Sequence, residues 1–154
     1  MSVQERLAAI QISLKAPKGQ RNDFGKFNYR SCSDIVEAVK GYLDGAILTL
    51  SDDMVAVGDR VYVKATATLA MGSESISTTA FAREAVTKKG MDDSQITGTA
   101  SSYARKYALN GLFAIDDTKD ADTNDYSKAA NDALMKSRNA MVKAVTDNDA
   151  GACQ

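Results

Sequence analysis

Tyr103, Arg105, Lys106 and Tyr107 place two cations and two phenol rings within five residues. On a helix, Tyr103 and Tyr107 share a face, with Lys106 beside them and Arg105 about a quarter turn away. Cations on an exposed helix face neutralise phosphates, so the pattern could hold a polyanion. A packed helix with solvated cations has the same spacing, and the residues alone leave both readings open. A second candidate is the polar loop from Lys18 to Arg30, within a basic run that begins at Lys15. That run carries five cations (Lys15, Lys18, Arg21, Lys26, Arg30) against Asp23, with Phe24, Phe27 and Tyr29 interleaved. Those rings suit base stacking, or they pin a loop to the core; Phe27 and Tyr29 stand at strand spacing. A third candidate is the Lys88-Lys89 pair in a turn, which is also an ordinary solvated feature.

Catalytic chemistry has few carriers here. The chain has no histidine, which removes Ser-His and Cys-His nucleophile pairs and histidine-containing zinc sites. Two cysteines, Cys32 and Cys153, cannot build a four-cysteine zinc site, and free thiols in a reducing compartment are expected. Five aspartates and one lysine fill the run from Asp116 to Asp125. Asp120, Asp122 and Asn124 fit the first ligands of a calcium loop. However, Asp125 stands where that loop needs glycine, and Asn131 where it needs glutamate, so a standard EF-hand is rejected. A solvated loop that repels nucleic acid and borders a binding surface is the expectation, with a weak divalent-cation site as the other reading. A magnesium nuclease using Asp116, Asp117, Asp120 and Asp122 is the one enzyme class left open, although such sites need carboxylates held on rigid elements. No catalytic residue and no resident metal or cofactor is assigned.

The 154 residues suffice for one compact domain with a real core. Residues 1–126 are expected to form it, with 127–154 as a helical extension and frayed tail. A hydrophobic share of 44% and a charged share of 25% are ordinary for a globular protein. No apolar run approaches the ~20 residues of a membrane span. Glu5 and Arg6 interrupt any signal-peptide pattern, so a soluble cytoplasmic protein without membrane contact is expected. The net charge of −1 argues against nucleic acid by itself, but the local +4 from Lys15 to Arg30 and −4 from Asp116 to Asp125 set the field a ligand meets.

These residues need elements to hold them. Val3, Leu7, Ile10 and Leu14 recur at helical spacing, and Pro17 and Gly19 end that helix. Ser31, with Asp34 three residues on, starts a second helix with Ile35, Val36, Val39 and Leu43 on its apolar face, stopped by Gly45. The β-rich segments 46–50, 54–57, 61–71 and 74–84, with turns at Gly58-Asp59 and Gly72-Ser73, predict an antiparallel meander of three or four strands. Asp92, Asp93 or Ser94 caps a third helix from Gln95 to about Leu112. Its Ala100, Ala104, Ala108 and Gly111 allow close approach to the sheet. A last helix is expected over about 127–145, with Ala130, Leu134, Met141 and Val145. The order predicts an α+β domain with one sheet and helices on one face.

Two blocks resemble the ERF family of phage single-strand annealing proteins. The first is Phe24-Gly-Lys-Phe-Asn-Tyr-Arg-Ser31, leading into Asp34-Ile-Val-Glu-Ala-Val39. The second is Gly98-Thr-Ala-Ser-Ser-Tyr-Ala-Arg-Lys-Tyr-Ala-Leu109, followed by the aspartate run. Ser102 and Lys106 stand where the family often has threonine and arginine. The resemblance spans roughly Leu7 to Asp125. It implies a core shared with other recombination annealing proteins, homo-oligomeric rings or filaments, and ATP-independent annealing of single-stranded DNA. Other host or phage recombination proteins are further partners it implies. It fits the missing G-x-x-x-x-G-K-[ST] nucleotide loop. On this reading Arg105 and Lys106 are first choices for phosphate contact. Tyr103 or Tyr107 stacks on a base or braces the helix, and Lys26, Arg30, Lys88 and Lys89 are second choices. A structural oligomer without DNA affinity is the alternative from another class.

Overall fold

The computed structural model describes residues 1–115, 133–141 and 143. Two compact units are separated, Met1–Asp116 and Asp117–Gln154. The boundary expected at 126/127 and the acidic run from Asp116 to Asp125 lie outside the described residues. In the second unit, residues 133–141 are helical, within the range expected for the last helix; the ends of that range lie outside the described residues.

The first unit is α+β, as expected. Helix α1 (Val3–Ser13) opens with a capping box in which the Ser2 hydroxyl accepts from the Glu5 N–H and the Glu5 carboxylate accepts from the Ser2 N–H. Each cap satisfies N–H groups that the first helical turn leaves without partners. Its apolar residues Val3, Leu7 and Ile10 are buried. The next segment is a correction to the polar loop expected up to Arg30. Strands β1 (Gln20–Asn22) and β2 (Phe27–Tyr29) pair antiparallel as a hairpin. The Asn22 side-chain oxygen accepts from the Phe24 and Gly25 N–H groups at 3.0 Å each, and Lys26 takes φ 53°. The spacing of Phe27 and Tyr29 fits β2, whereas the polar Gln20-Arg21-Asn22 gives β1 no apolar alternation of its own.

Helix α2 (Cys32–Lys40) has the expected Ser31–Asp34 capping box, but Gly41 rather than Gly45 ends it. Leu43 still packs against the core from outside the helix. The sheet has three strands in the order β3-β4-β5: β3 (Ile47–Val57), β4 (Arg60–Met71) and β5 (Glu74–Arg83). The two segments expected at 46–50 and 54–57 are one continuous strand through Asp52 and Asp53. Two-residue loops join the strands, and Gly58 and Gly72 each take φ 62°, where a tight hairpin demands a conformation only glycine adopts at no steric cost.

Helix α3 (Asp93–Phe113) is capped by Asp92, whose carboxylate accepts from the Gln95 N–H, and it ends on Ala114 in the left-handed region. It packs on β4 and β5. Gly111 marks the closest approach, since a Cβ there would lie 2.9 Å from the Thr78 methyl of β5. The helices cover one sheet face. Val63, Ala65, Ala67 and Leu69 of β4 are buried in the common core with Val3, Ile10, Ile35, Val39, Leu109 and Phe113. Each fully buried large aliphatic or aromatic side chain contributes about 1.5–3 kcal/mol. Leu48 and Leu50 of β3, and Ile76, Ala80 and Ala82 of β5, have the same parity and pack on that core. The opposite face has no buried residue.

Candidate nucleic-acid interface

The 21 residues of α3 expose two different edges along the sheet. Along one edge, the Tyr103 and Tyr107 rings lie 6.2 Å apart at 34°, and Lys106 Nζ sits over both, 5.0 and 5.5 Å from the centroids. The rings are 50% and 46% exposed, so the cluster braces the helix surface and still offers ring faces to solvent. A cation over a tyrosine face is worth about 0.5–1 kcal/mol at an exposed site. That is little enough for an incoming phosphate to compete for the ammonium.

Beside this cluster runs an open groove of about 470 Å³. Thr99, Ala100, Tyr103 and Tyr107 of α3 form one side, Ala82 and Arg83 of β5 the other, and Lys88 and Met91 of the connecting segment the rim. Small side chains at Ala82 and Ala100 make the room beneath the rings. Thr99 spends its hydroxyl on the Gln95 carbonyl at 2.8 Å. No carboxylate lines this groove among the described residues. The adjoining depression shares Arg83, Ala85 and Ile96 with it but adds Asp59, Glu84 and Asp93 against Arg60 and Arg83. Carboxylates there repel an anion, so the favourable surface ends near Arg83.

On the other edge of α3, Arg105 Nε donates to Asp52 Oδ1 at 3.0 Å and the Ser101 hydroxyl donates to Asp52 Oδ2 at 2.5 Å. Burial pushes the Asp52 carboxyl up, but the bonds from Arg105 and Ser101 outweigh it and hold the carboxyl below its ordinary value. The hydrogen bond to Asp52 raises the Arg105 guanidinium in turn. Burial also raises the half-buried Cys32 thiol, partly offset by the charge of Arg105. Arg105 and Lys106 are therefore not one edge. Lys106 belongs to the tyrosine cluster, while Arg105 ties α3 to β3.

The remaining candidates are dispersed. Lys88 joins the tyrosines at the groove, whereas Lys89 is exposed outside its lining. Lys26 is exposed at the hairpin turn beside a fully exposed Phe24, and Arg30 is buried at 9% exposure where the hairpin meets α2. The Phe27 side chain lies outside the described part. Arg83 was not foreseen as a site residue. Its signal was a cation closing the last strand five residues before Lys88. Among the described residues no group of three or more His, Cys, Asp or Glu side chains is arranged to hold a metal, and no helix is long and apolar enough to cross a membrane.

A family model described as the ERF superfamily matches residues 3–148. The chain is 59% identical over 131 residues to the "Essential recombination function protein" of Salmonella phage P22, covering 85% of this chain and 64% of that protein. It thus spans just under two thirds of the length of this curated relative. No solved structure matches it.

Proposed function

The chain belongs to the ERF superfamily, and from that premise we propose that it binds single-stranded DNA and anneals complementary strands in phage recombination, without ATP and as a homo-oligomer. The observation that carries this reading is the groove along α3, lined by Tyr103, Tyr107 and Lys88 with no carboxylate among the described residues, and with Lys106 set over the two rings beside it. Lys106, Lys88 and Arg83 meet phosphates, and the tyrosine rings stack on bases. Annealing requires that the Watson–Crick edges stay free for the partner strand. Contacts to phosphates and to base faces leave them free, whereas hydrogen bonds to base edges would block pairing. Lys26 and Lys89 add longer-range positive potential. Arg105 contributes through the position of α3, with its Nε held by Asp52, and buried Arg30 through the base of the hairpin. One subunit holds only a few phosphates. A ring or filament repeats the contact along one strand, and avidity makes weak contacts sufficient.

With about four phosphates neutralised per subunit, the salt slope per site is roughly −3, at about 0.7 per phosphate for a single strand. The test incubates the protein with two labelled complementary oligonucleotides, with and without magnesium and in the absence of ATP. Duplex formed faster than by the strands alone, with both strands intact, is the expected result. Cleavage that requires magnesium, or no effect on the strands at any salt concentration, overturns the reading.

A further inference from the structure

The face of the sheet turned away from the helices carries a second constellation, which shares Phe81 and Arg83 with the groove and adds Arg60, Tyr62 and Lys64. Residues of one parity share it. Arg60, Tyr62, Lys64, Thr66 and Thr68 of β4 lie there, and the register sets Arg83 opposite Tyr62 and Phe81 opposite Lys64. The Thr68 and Ser77 hydroxyls, paired in the same register, hydrogen-bond at 2.7 Å, which places both on this face. Phe81 is 51% exposed, Arg60 and Arg83 are exposed, and Tyr62 and Lys64 are half-buried.

We propose that this bare face is a further single-stranded nucleic-acid surface, on which bases stack on Tyr62 and Phe81 while Arg60, Lys64 and Arg83 meet the phosphates. The proposal rests on the reading of the protein as a single-strand binder. Three arguments carry it. Tyr62 and Phe81 are diagonal neighbours across β4 and β5, within the reach over which aromatic side chains act together. The two rings stand among three cations on β4 and β5. The one carboxylate of this parity on the strands near them is Asp53, opposite Lys64; Asp59, Glu84 and Asp93 adjoin Arg60 and Arg83 at the end of the sheet and bound the surface there. The rest of the face carries hydroxyls at Thr49, Ser51, Thr66, Thr68, Ser77 and Thr79, with the apolar Ile47, Val55 and Val57 along β3, of which Ile47 and Val57 are exposed. A second copy of the chain would find its apolar area along β3, whereas the β4–β5 half carries three cations and a row of hydroxyls, unlike the apolar, charge-depleted core of a stable subunit interface. A phosphodiester strand finds cations, hydrogen-bond donors and two stacking platforms. A flat sheet bearing aromatic side chains is a general way to hold unstacked bases. Phe81 and Arg83 also line the groove on the helix side, so the two surfaces meet around the β5 edge and one strand can pass from one to the other.

Arg60 and Lys64 lie outside the groove lining, which makes the pair Arg60→Ala, Lys64→Ala the diagnostic variant. Binding of fluorescent oligo(dT) is followed by anisotropy across a salt series for the wild type, this variant, and the groove variant Tyr103→Ala, Lys106→Ala. The expected result for the sheet-face variant is a roughly tenfold weaker affinity and a salt slope shallower by about 1.4, two phosphates at about 0.7 each. Arg60→Lys, Lys64→Arg restores the slope. Wild-type affinity and slope in the alanine pair overturn the proposal while the groove reading stands. A change of sedimentation with an unaltered slope assigns the face to subunit contacts and overturns it equally. A wild-type protein that binds no oligo(dT) removes both readings.

Discussion

Arg105 Nε and Asp52 Oδ1 lie 3.0 Å apart, and that bond ties the middle of α3 to β3, an edge strand of the sheet. The cation that looks most suited to a phosphate is spent in part on holding the helix that carries the others.

Arg105→Ala is therefore expected to lower the unfolding free energy by about 1–2 kcal/mol, a figure discounted for the partial exposure of both groups. Lys106→Ala is expected to change stability by less than about 0.5 kcal/mol and to weaken oligo(dT) binding. Urea titrations and anisotropy on the two single variants separate the effects. Wild-type affinity in Lys106→Ala would count against the groove.

Acid should expose the same bond. Asp52 is held below the unfolded aspartate value of about 3.9. The unfolded chain thus binds the proton first, and the contribution of Asp52 is complete above about pH 3.9 and lost as pH falls through the lower folded value. Asp52→Asn should flatten the stability profile in that acid window and leave its neutral arm parallel to the wild type. An identical acid limb in both proteins would refute the assignment.

Gly111→Ala would bring a Cβ to 2.9 Å from the Thr78 methyl. Alanine gains up to about 1 kcal/mol of helix propensity over glycine, while overpacking costs about 1–3 kcal/mol. A net loss of roughly 1 kcal/mol is expected. Adding Thr78→Ser, which removes the methyl, should turn the loss into a gain. Thermal melts of the single and double variants decide it.

Tyr103→Phe keeps the ring and should keep binding. Tyr103→Ala should cost about 1–3 kcal/mol of single-strand affinity for each base it stacks, with the salt slope unchanged. A shallower slope in the alanine variant would mean that the ring acts by placing Lys106 instead.

Cys32 is expected to alkylate slowly, because burial keeps its thiol protonated and the thiolate is the nucleophile. Timed iodoacetamide labelling at pH 8, read by mass spectrometry of the Cys32 peptide, should give a slower rate than an unfolded control. An equal rate would show that the thiol is not shielded.

Much of the frame was legible where chemistry is local. Ser31 with Asp34 announced α2, and the alanines every fourth residue of α3 announced its buried face. Gly58 and Gly72 announced the hairpins. Asp52 and Asp53 misled, because aspartate disfavours strands; the strand tolerates Asp52 because Ser101 and Arg105, some fifty residues later, satisfy it. The Tyr103–Lys106–Tyr107 cluster followed from helical spacing alone. The separation of Arg105 from Lys106 did not, since it depends on which strand lies under each edge. The sheet-face residues were hidden for a related reason. Tyr62, Lys64, Phe81 and Arg83 are scattered through two strands, and only the register brings them side by side.

Helix α1 is fastened to chain made long after it. The Val3 N–H donates to the Glu74 carboxylate, and the Gln11 amide donates to the Leu112 carbonyl, 101 residues away. At a synthesis rate of about 5–20 residues per second, its buried Val3, Leu7 and Ile10 wait roughly 5–20 s for the surface they cover. Through that interval the nascent chain carries an unsheltered apolar stripe, an aggregation hazard set by the order of its elements.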